Sequence, residues 1–241
     1  MRIVSWNMGC APPMAKQYRR SHQEAWLYLL NQLGPDVALV QEALFPAPVA
    51  EDFGQIFWSP NRGSDSGAAV VVRRGLPADN FDITAAGSYV AGAHLALSGE
   101  PFVIASMHVG PPNYRKHLLA LADALSTSVG DRRFVVGGDL NAARHLDDVN
   151  GGRWFTAYFD NLAKRNLYDC HWAQHGKEVQ SFWGHQAREP YQCDHFFADG
   201  LTSRQVSNCT ITDNVIVRGF SDHGPLILDI EDGSSRAVVK P

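Results

Sequence analysis

Residues 133–144 read Arg-Phe-Val-Val-Gly-Gly-Asp-Leu-Asn-Ala-Ala-Arg. Phe134, Val135 and Val136 make an unbroken apolar run, which Gly137 and Gly138 end and Asp139 and Asn141 follow. A continuous apolar run bounded by Gly and Asp reads as a strand covered on both faces. The strand itself has no need of the polar pair at its end. Asp139 and Asn141 either close an Asx turn or are delivered by a rigid sheet into a cleft.

The same arrangement recurs along the chain. The run Arg2–Trp6 is followed by Asn7, Val37–Glu42 ends on Glu42, and Phe102–Val109 carries His108 next to its end. Cys193–Phe197 contains Asp194, and Asp222 with His223 precedes Pro225–Ile230. Further apolar runs lie at Ala68–Val72 and Ala93–Leu97. Three segments have helical spacing instead. Tyr18–Leu33 repeats Trp26, Leu29, Leu30 and Leu33 and is stopped by Gly34 and Pro35. Tyr114–Val129 lines up Leu118, Leu121, Ala122, Leu125 and Val129, and Arg153–Lys164 lines up Phe155, Tyr158, Phe159 and Leu162. The aromatic stripe of the last reads as core. Strands outnumber helices and no repeat or linker divides the chain. The expectation is one α/β or α+β domain over residues 1–230, with packed sheets and outer helices, and a mobile tail over 231–241.

Composition narrows the function classes. The 241 residues carry 21 Lys and Arg against 25 Asp and Glu, a net charge of −4, so the whole chain has no attraction for a long polyanion and only local basic patches would hold phosphate. No apolar run approaches the ~18 residues of a membrane span, and the opening MRIVSWNMG lacks the basic and apolar regions of a signal peptide. A cytoplasmic protein with no membrane partner is expected. Cys10, Cys170, Cys193 and Cys209 are dispersed without a CxxC pair, which excludes a zinc knuckle or redox dithiol of that type and leaves buried thiols.

The polar residues at the strand ends form a coherent chemical set. Asn, Glu and Asp side chains are hard oxygen donors suited to Mg²⁺ or Mn²⁺, and histidines beside carboxylates titrate near neutrality. Mg²⁺ held by one or two carboxylates keeps positions for water and phosphate oxygens, so the set points to phosphoryl chemistry.

In chain order the motifs are SWNMG at 5–9, VQEAL at 40–44, SMHVG at 106–110, GGDLNAAR at 137–144, SFWGHQAREPYQCDHFF at 181–197 and SDHGPL at 221–226. Their order and identity resemble the endonuclease/exonuclease/phosphatase superfamily across essentially residues 1–230. The resemblance implies a four-layer sandwich of two packed mixed β-sheets flanked by helices. It implies Mg²⁺ or Mn²⁺ on Glu42 as principal carboxylate, with Asn7 beside it and Asp222 as a further ligand. Asp139 and Asn141 match the pair that positions the attacking water and contacts the scissile phosphate. Asp194 matches the carboxylate that pairs with His223, and His223 would be general base or phosphate-stabilising cation. Whether Asp139 or His223 takes the proton from water stays open. His108 matches a histidine that bonds the phosphate or assists the leaving group.

The implied reaction is hydrolysis of a phosphodiester in nucleic acid by an activated water. A phosphomonoesterase or lipid phosphodiesterase of the same superfamily is the alternative, and a non-catalytic phosphate-binding module is a reading of a different class. Tyr114 and Arg115 stand close enough after His108 to meet a flanking phosphate, and Trp183 offers a face to a base. Other basic clusters are Lys16 with Arg19 and Arg20, Lys116, and Arg144 with His145, while Ala11–Met14 and Phe45–Val49 are short apolar loops. The sequence departs from the family twice. Gly9 stands where apurinic-site nucleases carry Asp, and Gln192-Cys193-Asp194-His195 stands for Arg-x-Asp-Tyr, so the cation that the resemblance implies near the pocket is absent or supplied elsewhere.

Overall fold

A computed structural model describes residues 1–10, 18–45, 48–61, 63–83, 85, 88–97, 100–110, 113–183, 191–213 and 219–231. Lys16, the loop 11–14, residues 46 and 47 of the second apolar loop, and tail residues 232–241 lie outside them.

The described strands are β1 (Arg2–Asn7), β2 (Val37–Leu44), β3 (Gly54–Pro60), β4 (Ser66–Arg73), β5 (Ala78–Asn80), β6 (Ser88–Leu97), β7 (Glu100–Val109), β8 (Arg133–Asp139), β9 (Tyr168–Asp169), β10 (Asp194–Ala198), β11 (Val206–Ile211) and β12 (Leu226–Ile230). They form two six-stranded sheets, ordered β11-β12-β1-β2-β4-β3 and β5-β6-β7-β8-β10-β9. Each sheet has one parallel pair at its centre, β1 with β2 and β7 with β8, and antiparallel pairs elsewhere. The sheets are mixed for that reason. Doubly covered strands require continuous apolar sequence, and β4 and β7 have it.

Three apolar layers hold the elements together. Between the sheets, Ile3, Leu39, Val70, Ile104, Val135 and Phe196 interdigitate. On the outer face of the second sheet, the helices Tyr114–Val129 and Trp154–Lys164 bury Leu118, Leu121, Leu125, Phe155, Tyr158 and Phe159. On the outer face of the first, Trp26, Leu29 and Leu30 cover Val4, Trp6 and Val40. Two sheets between two helical layers give the expected four-layer sandwich. Each fully buried aliphatic or aromatic side chain contributes about 1.5–3 kcal/mol, against about 0–1 for an exposed pair such as Arg2–Asp229, so the apolar layers dominate the stability.

The segment read as a helix over Tyr18–Leu33 is less regular than its spacing predicts. It winds as a 3₁₀ turn at Arg19–Ser21, an α-helix at His22–Leu27 and a π-helix at Tyr28–Leu33, and Gly34 closes it at φ +58°. The four apolar residues still face the sheet, or are packed against it at Leu33.

Gly137 and Gly138 answer a packing demand near the C-terminal end of β8. A Cβ on Gly137 would lie 2.4 Å from the Phe196 ring, and one on Gly138 would lie 1.8 Å from the Met107 carbonyl oxygen. Only glycine lets β8 pass its neighbours as it turns into the Asp139 segment.

Candidate active site

The parallel pairs decide where the site lies. β1 runs parallel to β2 and β7 to β8, so Asn7 and Glu42 share one strand end and His108 and Asp139 another, and the Asn7–Asp139 and His108–Glu42 contacts bring the two ends to the same rim. In the second sheet Asp139 is the register partner of both His108 on β7 and Asp194 on β10, which puts three titratable groups in one row. β10 runs antiparallel, so Asp194 contributes from a strand start and not a strand end.

Two residues leave the ladder through unusual backbone. Glu42 has φ +48°, at a register shift of β2 against β4 between Val40 and Ala43. A glutamate there pays strain of about 1–3 kcal/mol, and the bulge turns its carboxylate out of the sheet. The Cys10 N–H holds the Glu42 carbonyl at 3.0 Å. Asn141 has φ +50°, a conformation asparagine tolerates. Its backbone N–H donates to Asp139 Oδ1 at 2.8 Å. The GGDLN segment is therefore an Asx turn and part of the cleft at once.

Asp139 is fully buried and is the hub of the site. Its Oδ2 accepts from Asn7 Nδ2 at 2.9 Å and Asn141 Nδ2 at 3.1 Å, and lies 3.7 Å from His223 Nε2 and 3.9 Å from His108 Nε2. Burial pushes its carboxyl above the ordinary value, opposed by the charges of His223 and His108. His223 Nδ1 bonds Asp194 Oδ2 at 2.9 Å. Burial works against the imidazolium, but Asp194 and Asp139 overcome it and hold the pKa up at about 10. His223 is thus a cation at neutral pH, with Nδ1 committed to Asp194.

The segment carrying Asp222 and His223 is pinned from three sides. Ser221 Oγ donates to the Asn7 carbonyl at 2.6 Å and accepts from His223 N at 3.1 Å, and Trp6 Nε1 donates to the His223 carbonyl at 2.8 Å. Trp183 N donates to the Asp222 carbonyl at 2.7 Å, and its half-buried ring packs over Gly224. Asp222 is raised by burial, with Glu42 and Asp194 among the charges adding to the effect against His223.

Those facts test the oxygen-ligand reading of Glu42, Asn7 and Asp222. Glu42 and Asp222 are close enough to repel, and Gly9, at φ +62°, lets the backbone pass between the Tyr18 ring and Asp222, where a Cβ would come within 2.8 Å of the ring and 3.2 Å of Asp222 Oδ1. Two hard carboxylates, near enough that the charge of Glu42 raises Asp222, suit a divalent cation, whose charge would offset that repulsion. Asn7 is partly committed, since its Oδ1 accepts from Gly9 N at 2.9 Å while its amide nitrogen serves Asp139. Asp139, Asp194 and His223 also offer ligand atoms within 4.8 Å of one another, but the His223–Asp194 bond already satisfies that group internally.

His108 Nε2 lies 3.3 Å from Glu42 Oε1, so this histidine bridges the metal-type carboxylate and Asp139. Tyr114 is half-buried, and burial followed by the charges of Asp139, Cys193 and Glu42 pushes its hydroxyl up, which places it in the field of the site. Tyr114, Arg115, Lys116, Asn113 and Phe155 line a groove of about 480 Å³. The Arg115 guanidinium stacks over the Trp154 ring at 4.9 Å. Of the other cations, Arg19 is paired with Asp65, and Arg144 lies 4.2 Å over both Phe159 and Trp172 while binding Asp169 at 3.0 Å. Gln192, in the place of the family arginine, accepts from Val179 N and donates to the Asp194 carbonyl. It is a structural strut.

Sequence reading alone did not single out Ser181, Ser221 or Trp6, although each bonds a site residue or its backbone. They stand inside the quoted motifs, with no role of their own assigned there. His195, read as an ordinary core histidine, is fully buried in an ion pair with Asp169 at 3.2 Å and donates toward the Ala142 and Gln192 carbonyls.

Comparison with known proteins adds the family. The model described as Endonuclease/Exonuclease/phosphatase family matches residues 4–223. No curated protein matches the chain in sequence. Among solved structures, an AP endonuclease from Archaeoglobus fulgidus superposes with TM-score 0.71 at 16% identity, covering 96% of this chain and 100% of that one. A 3′-5′ exonuclease (NExo) from Neisseria meningitidis gives 0.70 at 17% identity, covering 96% and 100%. The human Nocturnin catalytic domain, solved with bound sulfate, gives 0.70 at 17% identity, covering 96% and 93%. At these identities the likeness is one of fold. Among the described residues, no helix is long and apolar enough to cross a membrane.

Proposed function

The chain belongs to the endonuclease/exonuclease/phosphatase family, and from that premise we propose that it is a divalent-metal-dependent phosphodiesterase that cleaves nucleic acid. One observation carries the reading. Four side chains, Asn7, Asn141, His223 and His108, place nitrogen atoms within 4 Å of one buried oxygen, Asp139 Oδ2. An anion so surrounded is held ready to take a proton in a site from which water is largely excluded.

The geometry supports a set of roles. Glu42 and Asp222 would hold Mg²⁺ or Mn²⁺, which when bound supplies Lewis-acid polarisation of a phosphoryl oxygen. Asp139 takes the proton from the attacking water. His223 does not compete for it, because its imidazole is already protonated at neutral pH, and its Nε2–H donates to a phosphoryl oxygen. Asp194 fixes the ring through Nδ1. Asn7 and Asn141 orient Asp139 through their amide groups, and His108 donates to phosphate or leaving group. Tyr114 and Arg115, with Lys116 in the same groove, would contact a flanking phosphate, and the half-buried Trp183 ring would offer a face to a base. Burial of all four thiols suits the reducing cytoplasm.

The test is hydrolysis of single-stranded, double-stranded and abasic DNA, RNA, inositol phosphates and sphingomyelin, with Mg²⁺ or Mn²⁺ and with chelator, alongside Asp139→Asn. Metal-dependent cleavage of a nucleic acid that the variant loses is the expected result. Activity confined to phosphomonoesters or lipid overturns the nuclease reading and keeps the chemistry. No hydrolysis of any of them moves the protein to the phosphate-binding class.

A further inference from the structure

The Ser181 side chain is fully buried and meets three groups. Its Oγ lies 2.9 Å from Cys193 N, 3.1 Å from Asp194 N and 2.7 Å from Asp194 Oδ2. A hydroxyl has one proton to give and two lone pairs to receive. Both lone pairs face backbone N–H groups, which can only donate. The proton is left to the Asp194 carboxylate. Oδ2 therefore receives two bonds, from Ser181 and from His223 Nδ1, while Oδ1 is buried without a hydrogen-bond partner among the described residues. Of the two bonds that hold this carboxylate, the Ser181 hydroxyl supplies the one that is independent of the His223 ring.

The backbone around Ser181 ties together the two segments that carry the pair. Ser181 N donates to the Tyr191 carbonyl at 2.9 Å, and Gly224 N donates to the Ser181 carbonyl at 2.8 Å. Phe182 next to it forms a β-bridge with His223 and lays its ring 4.8 Å from the imidazole. Ser181 thus stands where the chain before Asp194 meets the chain after His223.

We propose that Ser181 is a positioning residue: its hydroxyl fixes the Asp194 carboxylate so that Oδ2 receives His223 Nδ1–H and Nε2 is aimed at the space beside Asp139. Its catalytic consequence rests on the function proposed above, whereas the orientation it imposes does not. A serine that merely satisfied two backbone N–H groups would affect stability and leave the imidazole unchanged.

The experiment uses the full chain, with histidine labelled by ¹⁵N, and follows the hydrogen-bonded Nδ1–H signal of His223, assigned by its loss in His223→Ala. Turnover of bis-para-nitrophenyl phosphate and of an abasic-site duplex with Mn²⁺ is measured in parallel. Ser181→Ala shifts or broadens the signal and lowers kcat on the order of tenfold to a hundredfold, the scale of one buried hydrogen bond to a charged group, with KM and Mn²⁺ affinity within about twofold. Ser181→Thr, which keeps the hydroxyl, retains the signal and kcat within about threefold. In an Asp194→Asn background Ser181→Ala has no further effect on kcat. If the alanine variant fails to fold, Ser181→Cys, a near-isostere with a weak donor, carries the same comparison. An unchanged signal in the variant, or a loss of kcat that adds to that of Asp194→Asn, overturns the proposal. If the wild type hydrolyses neither probe and the signal still responds, the positioning stands and the nuclease reading falls.

Discussion

Asp139 and Asp194 are register partners on β8 and β10, and the His223 imidazole spans both, with Nδ1 2.9 Å from Asp194 and Nε2 3.7 Å from Asp139. Two buried carboxylates side by side would repel, and the cation between them makes the arrangement stable.

Removing that cation costs function and stability together. His223→Ala is expected to lower kcat at least about a hundredfold and to destabilise the fold by about 3–5 kcal/mol, because it leaves buried carboxylates uncompensated. Turnover and urea denaturation on the same preparation check both effects.

The same cation gives a pH dependence with a definite sign. The pKa of His223 rises from an ordinary 6.5 to about 10 on folding, so its stabilising contribution is complete below about 6.5 and is lost as pH climbs through about 10. Thermal melting with chelator present should show stability declining from neutral to alkaline pH, and a flatter decline in His223→Asn.

On the far side of the Asp139 loop, the charge of Asp169 compensates His195 and Arg144. Burial opposes its ionisation, but His195 and Arg144 bring the carboxyl down to about 2. Stability from Asp169 is present above about pH 4 and disappears as pH falls toward 2. Asp169→Asn should cost about 3–5 kcal/mol at neutral pH, measured by urea denaturation, with Asp148→Asn as a near-neutral exposed control.

Glu42→Gln separates metal binding from folding. It should weaken Mn²⁺ binding at least about tenfold in calorimetry and abolish most of the rise in melting temperature that Mn²⁺ produces, leaving melting in chelator almost unchanged. A rise in melting temperature equal to that of the wild type would remove Glu42 from the metal set.

Gly137→Ala tests the sheet contact behind the site. The added methyl meets the Phe196 ring at 2.4 Å and Leu39 Cδ1 at 3.1 Å, in a layer with no room to yield, and about 1–3 kcal/mol of destabilisation in urea is expected.

The polar residues were legible in the sequence because each stood where a strand had no use for it. Asp139 after Phe134–Val136 and Glu42 after Val37–Val40 stand out against apolar runs that need burial on both faces. The helix Tyr114–Val129 and the stripe Phe155, Tyr158, Phe159 and Leu162 were legible through spacing alone. Strands β3, β5, β9 and β11 were not, since they lie at or near sheet edges and are short or carry mixed polar sequence. The hydroxyls of Ser181 and Ser221 were equally silent, for their value lies in partners distant in the chain.

By itself the sequence determined the period of each element, the inventory of oxygen and imidazole groups, and the family to which they correspond. Tertiary structure decided which of those groups touch. It set His223 as a cation by placing Asp194 and Asp139 on either side, gave Asp139 its four nitrogen neighbours, and turned Arg115 onto Trp154. The physical reason is that burial and charge proximity act through space over a few ångströms, between residues as far apart in the chain as Asn7 and Asp139, and a linear pattern carries no record of that distance.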